Sequence, residues 1–216
     1  MNDIPDSIPF DDISFEALKS SHNHLLPRFR CDNADLEEYL NEDALTDQNH
    51  RISSTFLAIW RTHLVGYFTL TNDCIDKAIV QKKDGEKGYR YRSYPSLKIA
   101  RLATSELFKG HDIGTHMVSV AYIAYGQISQ VSGCRLITVD AKTSSVGFYE
   151  KIGFKKVRGK PRKYKSYCNS CFLCGLAECV YDDDDDKDIV MMYIDYHQVL
   201  MDNSKPLKNL GNFGII

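Results

Sequence analysis

No stretch of this sequence approaches the ~20 apolar residues that a bilayer-spanning helix needs. The opening residues, MNDIPDSIPFDD, lack the basic-then-apolar order of a secretory signal and are acidic instead. A cytoplasmic protein with no membrane partner is therefore expected. An even set of cysteines is missing too. There are seven, and an odd number fits reduced thiols better than a disulfide framework. Nor is there an excess of positive charge. The formal net charge of −2 argues against a strongly basic nucleic-acid binder. No internal repeat is visible.

What is present suits one soluble domain. The 216 residues are 43% hydrophobic and 26% charged, enough for a sizeable core. The charge is unevenly placed. Residues 1–50 hold twelve acids against three bases, and residues 151–165 hold eight bases and no acid. Asp182 to Asp186 is an unbroken acidic run. Without those five acids the formal balance turns positive, so a local basic surface is compatible with the overall charge.

Periodicity gives the elements. In CDNADLEEYL, Asn33 can cap a helix with Asp35, Glu37 and Glu38 near its positive end, and Leu36 and Leu40 share a face. STFLAIW and HLVGYFTLT are strand-like and close enough for a hairpin. Residues 81–95 form a charged loop with Gly85, Gly88 and Pro95. LKIARLAT and CRLITVDA are buried-strand candidates. Between them Met117, Ala121, Ala124 and Ile128 recur at helical spacing. SSVGFYEKIGF starts on Ser144 or Ser145 as a cap and stops at Gly153. DIVMMYIDY is the last strand. The expected fold is α/β (α+β): a central mixed, twisted sheet flanked by helices. It forms a single domain over 1–200, with an insertion at 158–187 before the last strand and a C-terminal tail at 201–216.

The chemistry-bearing stretch is FKGHDIGTH, Phe108 to His116. It lies between a strand and a helix. That order stacks backbone N–H groups and a helix dipole at one spot, which suits a pyrophosphate. Glycines let the backbone approach such a ligand. By itself the pattern is also that of a plain helix cap. Some 34 residues on, directly after the strand RLITVDA, comes FYEKIGF, Phe148 to Phe154.

Together these segments resemble the GNAT superfamily of N-acetyltransferases. In that family a (Gln/Arg)-x-x-Gly-x-(Gly/Ala) loop holds the pyrophosphate of acetyl-CoA, and FYxxxGF carries a tyrosine near the thioester sulfur. Here the loop falls on Lys109, Gly110, His111, Asp112, Ile113 and Gly114, followed by Thr115. Lys109 replaces the usual Gln or Arg, and Asp112 replaces the first glycine, so weak cofactor affinity is an expected consequence. FRCDNADLEEYLNEDALTD, ARLAT and VDAKTSSVGFYEKIGF are similar to one branch, which includes toxins that acetylate aminoacyl-tRNA. The likeness covers roughly residues 10–157 and part of the last strand.

The resemblance implies acetyl-CoA as cosubstrate, Tyr149 as general acid and Phe148 as packing beside the cofactor arm. It also implies Leu102, Ala103 and Thr104 as the strand that pairs with the pantetheine. It further implies a ribbon-helix-helix antitoxin, and a homodimer is expected. tRNA is the sharper acceptor, supported by the basic segment KIGFKKVRGKPRKYK. A protein or small-molecule amine stays open as acceptor, as does a catalytically degenerate acyl-CoA-binding module. Glu106 and Arg101 are candidates near the strand end, and no general base is assigned.

CNSCFLCGLAEC places Cys168, Cys171, Cys174 and Cys179 in one short run. Zinc knuckles pair at wider separation, and the spacing matches no standard iron–sulfur run. Free reduced thiols with no metal are the favoured reading.

Overall fold

The computed structural model describes residues 4, 5, 7–158 and 188–197. The cysteine run, the acidic run, most of the insertion and the tail lie outside the described residues. The strands are β1 (Ile13–Ala17), β2 (Ser54–Trp60), β3 (His63–Asp76), β4 (Ser93–Thr104), β5 (Leu136–Lys142), β6 (Lys155–Lys156) and β7 (Ile189–Ile194). The helices are α1 (Ala34–Glu42), α2 (Ala44–Asn49), α3 (Ile113–Ser132) and α4 (Val146–Lys151). The strands make one sheet in the order β1-β2-β3-β4-β5-β7-β6. β4 and β5 are parallel, and the other paired neighbours are antiparallel. The expected mixed α/β sheet is what forms. No described helix is long and apolar enough to cross a membrane.

Strand alternation sorts the core onto two faces. On β3, Phe68 and Leu70 join α3 and α4 in the larger cluster, whereas Tyr67 faces Leu40 of α1 and Ala44 of α2. On β7, Met192 and Ile194 take the α3 side and Tyr193 the other. There Tyr193 meets Ile79, Val80 and Tyr94, so the β3–β4 connection covers the sheet where a helix is missing.

Helix α1 starts as its sequence dictates. The Asn33 side chain accepts from the Asp35 N–H at 3.2 Å. Glu37 reaches back to accept from the Cys31 N–H at 2.7 Å. This fixes the buried Phe29 and Cys31 beneath the helix. Helix α4 behaves differently. A single 3-10 turn, Thr143–Ser145, precedes it, and Ser145 makes no side-chain cap bond. Gly153 ends the segment at φ +99°.

Two features bend the sheet around β4. Thr69 of β3 stands opposite Arg101, and Leu70 stands opposite Ile99. Ala100 is therefore an extra residue on β4, a bulge that bends the strand. At the same height the β4–β5 pairing stops, its last pair being Ile99 with Val139. β4 runs on to Thr104 and β5 to Lys142 without pairing to each other. The bulge swings the end of β4 away from β5, and a wedge opens between two parallel strands. A Lys98–Asp140 ion pair links the strands at its vertex.

Candidate functional site

The wedge has backbone polar groups to offer. The Ser105 N–H donates to the Val65 carbonyl at 2.9 Å, so Ser105 faces β3. Antiparallel alternation then turns Ala103 toward β3 as well, and turns Leu102 and Thr104 toward β5. With no β5 partner at that height, the N–H and C=O groups of Leu102 and Thr104 open into the wedge. Ala103, expected with them, has its backbone in the β3 ladder opposite Tyr67 and its side chain in the α1–α2 core.

The loop from Lys109 to Thr115 sits at the mouth. Gly110 has φ +84° and Asp112 has φ +58°, ψ 12°. Both occupy the left-handed region, which glycine adopts freely and aspartate more readily than most residues. This explains why the chain tolerates Asp112 where the family pattern has glycine. The Asp112 side chain is exposed and makes no cap bond. Its carbonyl accepts the first helical bond, from the His116 N–H at 3.0 Å. The N–H groups of Ile113, Gly114 and Thr115 have no intrahelical acceptor, so the N-terminus of this 20-residue helix presents donors and its positive dipole end.

The Ile113 side chain is buried in the core, which leaves only its backbone for a ligand. Lys109 pairs with an acid outside the loop. Its ammonium bonds Asp32 at 3.0 Å, and that bond raises the Lys109 pKa and lowers that of Asp32. His111 is half-buried, its ring 6.4 Å from that of Phe108.

Loop, strand end and α4 meet at Gly114. A Cβ there would stand 3.2 Å from Phe148 Cζ and 3.8 Å from Thr104 Oγ1. Tyr149 follows on the same short helix. Its ring packs edge-on to Phe148 and Phe154, with centroids at 5.0 and 5.4 Å. It is only 5% exposed, and burial pushes its hydroxyl pKa up, so it holds its proton well beyond neutral pH. Among the described residues that hydroxyl has no hydrogen-bond partner. Of the two candidates near the strand end, Glu106 is exposed, and Arg101 is exposed with its guanidinium 4.8 Å above the Tyr39 ring. Among the described residues no cluster of His, Cys, Asp or Glu could hold a metal.

Three contributors escaped sequence reasoning. Asp32 lies 77 residues from Lys109, and nothing local marks the pair. The Ala100 bulge carries no glycine to betray it. Gly66 of β3, whose lack of a side chain lets the Ala103 carbonyl and Met117 of α3 lie close, was findable, since a glycine inside a strand pattern signals close backbone approach.

No protein-family model matches the sequence, and no curated protein matches it. Solved structures do. AtaT complexed with acetyl-methionyl-tRNAfMet superposes with a TM-score of 0.69 at 20% identity, over 88% of this chain and 98% of the other. A Tyr-to-Phe variant of KacT gives 0.68 at 16% identity, over 88% and 98%. AtaTR bound with acetyl-CoA gives 0.62 at 20% identity, over 88% and 99%.

The fold is that of AtaT and KacT. It is also the GNAT-type fold that the sequence resemblance implied. At these identities the likeness carries the architecture alone.

Proposed function

We propose that this protein is an acetyl-CoA-dependent N-acetyltransferase whose acceptor is the α-amino group of an aminoacyl-tRNA. The observation that carries the first half is the wedge. Its open strand edges at Leu102 and Thr104 meet the free N–H groups of Ile113–Thr115 at one mouth. An extended amide-bearing arm ending in a pyrophosphate fits both, and its thioester supplies an activated acetyl group. The neighbours bound to acetyl-CoA and to acetyl-methionyl-tRNA support the reading.

Tyr149 supplies the acid. Transfer forms a C–N bond and breaks a C–S bond, and the sulfur leaves with negative charge. The Tyr149 hydroxyl, kept protonated by burial, donates to that sulfur, and the proton lost by the attacking amine restores the balance through solvent. No general base stands in the described site. That deficiency selects the acceptor: an α-amine has a pKa near ~8 and is partly neutral at pH 7, whereas a lysine amine near ~10.4 is not.

Calorimetric titration with acetyl-CoA tests the first half. Saturable 1:1 binding that Gly114→Val abolishes is expected, because the added branches would press on Phe148 and Thr104. Absence of heat at millimolar acetyl-CoA contradicts it.

A further inference from the structure

We infer that the connection between β3 and β4, residues 77–92, is a docking surface for the phosphate backbone of RNA, distinct from the acetyl-transfer wedge. The inference rests on the aminoacyl-tRNA reading above and deepens it by locating where the bulk of the acceptor is held.

The connection carries six bases against two acids. Two of the bases have local roles: Arg92 pairs with Asp76 at 3.6 Å, and the Lys77 ammonium donates to the Tyr89 carbonyl. Lys82, Lys83, Lys87 and Arg90 are exposed and form no ion pair among the described residues. The first three rim a cavity of about 420 Å³ together with Arg135 and His197. Arg135 donates to Asp195 at 2.9 Å, yet its Nε is buried with no acceptor. The acids at this cavity are Asp84 and Glu86. Asp84 is already paired with the Lys155 ammonium at 2.8 Å and accepts from the Tyr193 hydroxyl at 2.7 Å. Glu86 is the one exposed acid of the connection.

Aromatics interleave with these bases in GYRYRSYP. Tyr89 stacks on Tyr94 at 4.4 Å, and Tyr91, 72% exposed, abuts Tyr89 at 5.5 Å. Exposed tyrosine beside lysine and arginine is the arrangement on which bases stack while phosphates are neutralised.

The surface is held in shape. The Gln81 N–H donates to the Tyr193 hydroxyl, the Gly85 N–H to Asp195, and the Glu86 N–H to the Tyr94 hydroxyl, at 2.8, 3.0 and 3.1 Å. Gly85 has φ +80°, and a Cβ on it would stand 2.6 Å from the Tyr94 oxygen. The loop can close on Tyr94 only with glycine there. From Ser93 to Leu102 the strand runs about 30 Å, at ~3.3 Å per residue. A whole tRNA spans such a distance and carries unpaired bases that can stack on Tyr91, and a small amine does neither.

In the stretch 151–165, the first candidate for RNA contact, two of the described lysines are engaged with neighbouring acids. Lys155 is held by Asp84, and Lys156 pairs with Glu150 at 3.1 Å. Lys155 thus fastens the connection to the sheet. Residues 159–165 lie outside the described residues.

The test uses fluorescein-labelled total tRNA and anisotropy across a potassium chloride series, on the full chain. Replacing Lys82, Lys83, Lys87 and Arg90 with Ala should weaken binding at least tenfold at low salt. It should also shallow the slope of log K against log salt by about 3, at ~0.7–0.9 per phosphate contact. Tyr91→Ala should weaken binding roughly tenfold and leave the slope alone. Both variants should keep wild-type acetyl-CoA binding by calorimetry, which confirms that they fold. RNA binding by the quadruple variant with wild-type affinity and slope overturns the surface and leaves the acceptor reading standing. A wild type that binds no RNA at the lowest salt, yet acetylates a peptide amine, overturns both.

Discussion

In the proposed reaction, Tyr149 and Asp112 are the single side chains whose replacement is most informative. Tyr149 is enclosed by Phe148 and Phe154 and stays protonated. Tyr149→Phe removes one oxygen and no packing surface. It should lower kcat roughly a hundredfold, within the ~10²–10⁴ of general acid catalysis, and leave the acetyl-CoA dissociation constant unchanged. Stopped-flow and calorimetry check the two halves. The raised pKa also sets the pH profile. A protonated acid is lost only above its pKa, so kcat/KM should rise to about pH 8 as the acceptor amine loses its proton, then stay level to about pH 10. A descending limb below pH 9 would remove Tyr149 as the acid. Asp112 sits at φ +58° beside the N–H donors proposed to hold the pyrophosphate. Asp112→Gly relieves that backbone and removes a like charge, so acetyl-CoA should bind about fivefold tighter, measured by the same titration.

At the scale of elements, the site exists because β4 is bent and α3 lies close against the sheet. Gly66 of β3 makes the second possible. A Cβ there would stand 2.9 Å from the Ala103 carbonyl oxygen and 2.9 Å from Met117 Cε. The methionine can move, but the β4 backbone cannot. Gly66→Ala should cost about 1–3 kcal/mol, a melting temperature lower by about 3–10 °C in calorimetry. It should weaken acetyl-CoA binding as well, because the wedge and the α3 N-terminus shift together. The main elements were legible from local patterns. Asn33 announces α1, the short break after Trp60 announces the β2–β3 hairpin, and the helical spacing of Met117, Ala121 and Ala124 announces α3. Strand β1, helix α2 and the two-residue β6 were not anticipated. Each is too short to establish a period and is held by partners distant in sequence, as Ile13 is by Trp60 and Lys155 by Tyr193. The site was legible as motifs, Lys109–Gly114 and Phe148–Tyr149. Its wedge was not, because a bulge and the end of a ladder belong to pairing between strands, which no local pattern encodes.

Over the whole molecule, tyrosine burial is a shared property with one consequence. Burial pushes up the hydroxyl pKa values of Tyr67, Tyr122, Tyr125, Tyr149 and Tyr193. In the unfolded chain these groups ionise near ~10. Below that pH both states are protonated, and the stability is fully present. Above it the unfolded state gives up protons that the folded state retains, and stability falls as pH rises toward the raised values. The melting temperature should therefore be level from pH 7 to about 9.5 and drop steeply beyond about pH 10, with the tyrosinate absorbance of these five buried side chains appearing only as the chain unfolds. A melting temperature that stays level through pH 11 would contradict this. The same molecule, with its wedge at one end of β4 and its basic, tyrosine-bearing loop at the other, is read as a transferase for a long anionic acceptor. Radiolabelled acetyl-CoA mixed with the protein and charged tRNA tests that claim most directly. Label is expected on charged tRNA, recovered after alkaline ester cleavage as N-acetyl amino acid, and none on deacylated tRNA. Equal labelling of deacylated tRNA, or label on peptide lysines and none on charged tRNA, would contradict it.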